Sequence, residues 1–413
     1  MDTQTVESIK EKIAFEGARQ RPPEGFPALP EIPVSRYTSA AFFQLEQQQL
    51  WGKAWLYAAH QHELAEPGSY KLWEDAGVPI LILRDEQDQL RAFYNTCRHR
   101  GSPLVTASQG VTKRLQCPFH GWTYNLQGQL IGVPELRDFT DFTMPDYPLN
   151  EIRCERFGPW IFINRDREAQ ALSEFLGPVA ASMAELDLDN LHYFEKHSIA
   201  IDANWKVALD SFMEVYHLPH LHPATVSQLL DHKTTAISLF AHGNSRMVSP
   251  NHAGYLPSPD AIPSIQTVGE LGHSANISYS LSPNLVTPTD AGGFPFLLFW
   301  PLDIRRTRMD VFWFGAADGI NDATTKPWLN PGQQLSAAWQ EKIALFDQVL
   351  FEDTRFLPGQ QRSMEAGAFQ GIPLSYQERR IYHRHEAIDR IMGLDNIPPA
   401  MRVKPLLENY IEN

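Results

Sequence analysis

Cys97-Arg98-His99-Arg100-Gly101 is followed, fifteen residues on, by Cys117-Pro118-Phe119-His120-Gly121-Trp122. Each half is a short loop that offers one cysteine and one histidine. Two thiolates and two imidazoles suit a closed zinc site. They also suit a two-iron, two-sulfide centre in which two histidines replace two cysteines on one iron. Ligand order separates the two. Zinc sites usually pair Cys with Cys and His with His, whereas here both loops are mixed. Two such loops facing each other put both sulfurs on one iron and both imidazoles on the other. Gly101 and Gly121 suit tight turns that bring backbone N–H groups close to the sulfurs.

Outward from these loops, residues from Trp55 to about Arg165 alternate with a period of two and carry frequent turn signals. Trp55–His60, Ser69–Trp73, Val78–Arg84, Leu90–Asn95 and Trp160–Asn164 are predicted strands. Gln127-Gly128 marks a further hairpin between Thr123–Asn125 and Leu130–Ile131. A small all-β domain with the two ligand loops at its tip is expected. On the N-terminal side, residues 1–37 are polar and broken by prolines, which predicts an extended arm. A short helix follows, capped by Thr38 or Ser39 and carrying Phe42, Leu45 and Leu50.

On the C-terminal side a helical period runs from Leu172 to Leu186, and strands resume at Tyr193–Ile201. Asn204 to Pro223 reads NWKVALDSFMEVYHLPHLHP. Asp202 or Asn204 is a candidate cap, and Trp205, Leu209, Phe212 and Tyr216 fall on one helix face, with Asp210 and His217 together on its flank. Pro219 argues against continued helix, which places His217 near the last turn. A helix broken there can bring His217 and His222 to one metal, where two imidazoles and a carboxylate leave positions open for O2 and substrate. The competing reading is a solvated face of Lys206, Asp210 and Glu214. The third ligand must come from elsewhere. Pro331 can begin a helix in which Trp339, Ile343, Phe346, Leu350 and Asp353 form one stripe, with Asp347 off it. A carboxylate aimed at a core is costly unless paired or metal-bound, which selects Asp353. Between these helices, residues 225–330 are strand-rich, with a hairpin of Phe294–Trp300 and Met309–Phe314. The charged run Tyr382-His383-Arg384-His385-Glu386 reads as a solvated or subunit-contacting helix face.

The chain resembles the Rieske non-haem iron oxygenases, the terminal subunits of ring-hydroxylating and demethylating systems, over nearly all of its length beyond residue 37. The resemblance implies an α+β chain: an arm and short helix over 1–45, a Rieske [2Fe–2S] domain over 46–165 and a catalytic domain over 166–413. The catalytic domain is expected to hold an antiparallel sheet flanked by helices, in a helix-grip arrangement. Cys97 and Cys117 then hold one cluster iron, and His99 and His120 the other. His217, His222 and Asp353 hold a mononuclear Fe(II), the last within a Glu352-Asp353 pair ahead of Gln360 or Gln361. Glu214 stands where most members carry Asp. It is expected to link the iron site of one subunit to a cluster histidine of its neighbour, in a homotrimer or a multiple of trimers. Asp210 is either a further hydrogen-bonding group there or a surface charge. Glutamate at 214 also resembles members acting on quaternary ammonium compounds, although those carry Cys where this chain has Leu218.

Composition bounds the remainder. A net charge of −14 argues against nucleic acid, and no apolar run is long enough for a membrane span. Met1 to Arg21 lacks the apolar core of a signal peptide, and three cysteines fit a reducing compartment, so a cytoplasmic location is expected. Cys154 is left as a buried filler. With no dinucleotide fingerprint, the chain is not expected to take electrons from NAD(P)H unaided; the resemblance implies that they come ultimately from NAD(P)H through a separate reductase or ferredoxin. Arg98, Arg100, Lys113 and Arg114 are candidates to dock an acidic donor. The expected substrate is small, organic and hydrophobic, aromatic or alicyclic; a carnitine- or betaine-like cation is the alternative. A non-catalytic electron carrier would need only the first 165 or so residues, and a zinc module would not use mixed loops.

Overall fold

A computed structural model describes residues 1–252, 262–316 and 335–412. They divide into two compact units, Trp51–Leu172 and the union of Met1–Leu50 with Ser173–Asn413.

The first unit is all-β. Strands Leu56–His60, Trp160–Asn164, Glu151–Phe157, Leu90–Tyr94, Ile80–Arg84, Ser69–Trp73 and Gln109–Val111 lie side by side in that order. A three-stranded sheet of Leu115–Gln116, Thr123–Tyr124 and Leu130–Gly132 carries the second ligand loop at its first turn. Alternate residues of these strands bury Leu81, Leu83, Phe93, Leu115, Tyr124 and Leu130 in one apolar cluster that also contains Cys97 and Cys117. Both sulfurs are therefore withdrawn from water. Cys154 is on Glu151–Phe157, away from that cluster, and burial pushes its thiol up to about 12. It is an inert filler.

The second unit is built on a seven-stranded antiparallel sheet. Its order is Leu191–Ile201, Arg306–Ala316, Phe294–Asp303, Leu285–Thr289, Ala275–Leu281, Ser245–Pro250, Ala236–Leu239. The apolar run Phe294–Trp300 is buried throughout. Helix Ala337–Thr354 begins at Ser336, whose hydroxyl accepts the Trp339 N–H, and buries Trp339, Leu350 and Asp353. The start expected at Pro331 lies outside the described residues.

Three expectations about elements are corrected. Residues 1–37 are not an extended arm: Thr3–Ala18 is a helix, with the Asp2 side chain accepting the Thr5 N–H, and the prolines come only after it. The helix from Trp205 ends at Asp210 rather than near Pro219, and Tyr216 points to solvent instead of sharing a face with Trp205. The Glu214 carboxylate accepts the backbone N–H groups of Tyr216 and His217, and this local capture competes with helical hydrogen bonding. Pro219 sits in the first turn of a new short helix, Leu218–Leu221, which starts beyond His217. Finally, helix Arg379–Met392 is not a solvated face. Its charged residues other than Arg390 are buried, because neighbouring elements supply counter-charges, as in the 2.7 Å pair of Arg36 with Asp389, or polar acceptors, as Ser245 does for Arg380.

Candidate metal centres

The two mixed loops fold as copies of one turn. The Cys97 carbonyl accepts the Gly101 N–H and the Cys117 carbonyl the Gly121 N–H, while the cysteine N–H groups donate to Ser102 and Trp122. Both glycines have positive φ, +78° and +72°, a region that penalises a β-carbon. The repeat brings His99 and His120 to a ring separation of 4.5 Å. Burial pushes both thiols up. At Cys117 the backbone N–H groups of Phe119 and His120, with the Cys97 and Ser102 side chains, together outweigh burial and draw it below the ordinary cysteine range. Cys97 stays above that range, chiefly through burial, although the Tyr124 hydroxyl lies 3.5 Å from its sulfur. His99 Nδ1 is buried and has no hydrogen-bond partner among the described residues. Two neighbouring imidazoles, one with an orphaned nitrogen, beside two buried thiols are the donor set a [2Fe–2S] group with two Cys and two His ligands requires, and the residues fit it. The histidines differ in setting. His99 stacks on Trp122 at 4.9 Å and 9°, with Phe139 at its edge, whereas His120 is exposed beside exposed Phe119.

In the second unit, His217, His222 and Asp353 each place one donor atom within 4.8 Å of the others. His222 Nε2 is 3.2 Å and His217 Nε2 3.6 Å from the same oxygen, Asp353 Oδ1. Each opposite nitrogen meets a carboxylate: His217 Nδ1 lies 2.5 Å from Glu214 Oε1, and His222 Nδ1 2.7 Å from Glu352 Oε2. Both Nε2 atoms thus face inward, since the Nδ1–H is engaged. Burial raises the Asp353 carboxyl above its ordinary range. Burial would lower both histidines, but the adjoining carboxylates outweigh it and raise them. Three carboxylates around two imidazoles leave an excess of negative charge, and two Nε2 atoms with one carboxylate oxygen match the facial donor set of an Fe(II) site.

A groove of about 760 Å³ opens beside this centre. Asp210, Glu214, His217, Asp353, Phe356 and Glu378 are among its lining residues, and among the described residues no lysine or arginine lines it. Asp210 is neither a surface charge nor bonded to His217. Its carboxylate accepts from Tyr37 Oη at 2.8 Å and from Arg384, and burial raises it above the ordinary range.

Glu352, Thr225 and Tyr37 carried no signal of their own in the sequence. The first was visible only as the neighbour of Asp353, and its contact with His222 spans 130 residues. Asp347, the discarded alternative, is exposed and faces His197 at 3.4 Å.

Residues 54–148 match the family described as Rieske [2Fe-2S] domain, and residues 188–394 that described as Ring hydroxylating alpha subunit (catalytic domain). The glycine betaine monooxygenase oxygenase subunit of Pseudomonas aeruginosa is 32% identical over 200 residues, 48% of this chain and 46% of that protein. The carnitine monooxygenase oxygenase subunit of Acinetobacter baumannii is 32% identical over 212 residues, 50% of this chain and 57% of that one. The chain thus spans about half the length of the curated relatives it matches. Among solved structures, a quaternary ammonium Rieske monooxygenase with a bound inhibitor superposes with a TM-score of 0.72 at 21% identity, covering 91% of this chain and all of the other. That likeness is one of fold.

Proposed function

Because this chain belongs to the ring-hydroxylating oxygenase alpha subunits, joining a Rieske domain to their catalytic domain, we propose that it is the terminal component of an oxygenase system. It takes single electrons from a separate reductase or ferredoxin and uses O2 to oxidise a small organic substrate. The convergence of His217 Nε2, His222 Nε2 and Asp353 Oδ1 carries this reading. A bare electron carrier would have no use for a second donor set in a separate unit.

Cys97, Cys117, His99 and His120 would hold the cluster, and His217, His222 and Asp353 the mononuclear iron. When bound, the cluster supplies one-electron transfer and the iron supplies dioxygen chemistry. The chain's own residues do the rest. Glu214 fixes the His217 ring with Nε2 inward and keeps a carboxylate at the groove. Trp122 and Phe139 enclose His99, which leaves the exposed His120 as the ligand through which a neighbouring subunit is reached. Exposed Arg98 and Arg100 flank that tip and complement an acidic groove. Head-to-tail contact of tip with groove closes a ring, for which a homotrimer is the smallest reading.

For the substrate, the likeness to betaine and carnitine oxygenases, together with glutamate at 214, favours a quaternary ammonium compound over an aromatic or alicyclic one. The dithionite-reduced protein is expected to give a low-average-g EPR signal, with about three irons and two acid-labile sulfides per chain. Turnover with a surrogate reductase is expected on betaine- or carnitine-like cations before naphthalene-like rings. Zinc without sulfide would overturn the oxygenase reading; turnover confined to aromatic rings would overturn the substrate class alone.

A further inference from the structure

Glu352 and Asp353 are consecutive on helix Ala337–Thr354, so their side chains leave it about 100° apart. They grip the two ends of one imidazole. Asp353 Oδ1 is 3.2 Å from His222 Nε2, and Glu352 Oε2 is 2.7 Å from His222 Nδ1. The same Glu352 oxygen accepts from Thr225 Oγ1 at 2.7 Å, and Oε1 accepts from Gln348 Nε2 at 3.0 Å. Thr225 lies in the turn that follows His222, where the Thr225 and Ser227 N–H groups both donate to the His222 carbonyl. Glu352 therefore ties two segments far apart in sequence, each of which contributes a donor to the candidate iron centre. His217 is held differently, by Glu214 of its own loop. His222 is almost fully buried at 1% exposure, and Glu352 is buried with it.

Resting on the metal-centre reading above, we infer that Glu352, anchored by Gln348 and Thr225, is a positioning residue for His222. It accepts a hydrogen bond from Nδ1–H, which leaves the Nε2 lone pair directed at the ion, and it fixes the ring plane relative to Asp353. The competing role is purely structural: a buried Glu352–His222–Asp353 ion triad that stabilises the fold and is indifferent to metal.

Iron binding separates the two. The protein is stripped of mononuclear iron with the cluster retained, then titrated with Fe(II). The readouts are iron per acid-labile sulfide and the EPR signal of the nitric oxide adduct. Glu352→Ala is expected to weaken Fe(II) binding about 10- to 100-fold and broaden that signal. Glu352→Gln, whose amide oxygen still accepts from Nδ1–H, is expected to restore most of the affinity. Thr225→Val should weaken binding a few-fold without moving the unfolding midpoint. Should Glu352→Ala not fold, Thr225→Val decides: wild-type affinity with an unchanged nitrosyl signal in that variant would overturn the proposal. So would a Glu352→Ala that loses stability but binds iron normally. A wild type that takes up no iron beyond the cluster, or a His217→Ala variant that still does, would instead overturn the metal-centre reading itself.

Discussion

Glu214 receives three hydrogen bonds from its own loop, from the Tyr216 and His217 N–H groups and from the His217 ring. Those bonds shape the loop beyond the helix, orient a ligand candidate and leave a carboxylate at the groove, so one side chain serves both the local fold and the proposed electron path. Glu214→Gln keeps the acceptor oxygen but removes the charge. It is expected to retain iron and cluster while turnover falls roughly tenfold or more; unchanged turnover in a reductase-coupled assay would count against the bridging role. The ligand candidates were legible in sequence to the degree that their chemistry is tied to local spacing. Cys-x-His and Cys-x-x-His announce two matching loops, and Asp353 stood out because a carboxylate on the stripe of Trp339 and Leu350 needs a partner. Glu352 was not legible, because its partner is brought near only by packing. Tyr37 escaped for the same reason: its bond to Asp210 joins positions 173 residues apart.

At the scale of elements, hydrophobic periodicity found the strands and failed on polar helices. Helix Thr3–Ala18 was missed because only Ile9 and Glu16 of its residues are buried, so it has almost no stripe to read. Helix Arg379–Met392 was misjudged in the opposite sense. Burial there is sustained by ion pairs and hydrogen bonds whose partners lie on the N-terminal segment, the sheet and residues 401–407, none adjacent in sequence. That arrangement has a pH consequence. His383 is enclosed and donates Nε2–H to the Phe240 carbonyl at 2.7 Å, and burial lowers it to about 4. An unfolded histidine takes a proton below about 6.5 and the folded one only below about 4. Stability from this group is thus fully present above 6.5 and is lost as pH falls through that window, by about 3 kcal/mol at most. His383→Gln, which keeps a donor to Phe240, is expected to flatten the acid limb of urea unfolding between pH 6.5 and 4. A slope equal to wild type would show that His383 is not the group. The fully buried pair Lys206–Glu46, at 2.7 Å, gives a second test within the same packing. Glu46→Gln leaves an uncompensated ammonium and is expected to cost about 3–5 kcal/mol, whereas Glu46→Gln combined with Lys206→Met should recover much of that loss. Equal losses in the single and double variants by denaturant unfolding would mean that the pair is not coupled.

At the scale of the whole molecule, the proposal that matters most is that one subunit's cluster serves its neighbour's iron. The tip offers an exposed His120 with Arg98 and Arg100 beside it, and the groove offers Glu214 and Glu378 without a basic residue among its described lining. Surfaces of opposite charge on opposite partners make a heterologous contact, and a heterologous contact that closes gives a ring. Two inactive variants can test this. Cys97→Ala disables the cluster and spares the iron donors; Asp353→Ala disables the iron site and spares the cluster. Each alone is expected to be inactive. Unfolded, mixed in equal amounts and reassembled, they should place an iron-competent subunit next to a cluster-competent one. With random assembly, half of the subunits keep the iron donors and half of their neighbours on the relevant side keep the cluster, so about one quarter of wild-type activity should return. Transfer within a single chain predicts none, because no chain in the mixture carries both centres. Light scattering on the same sample fixes the ring size: a mass of three chains, or a multiple of three, accords with the contact, and a stable active monomer would exclude it.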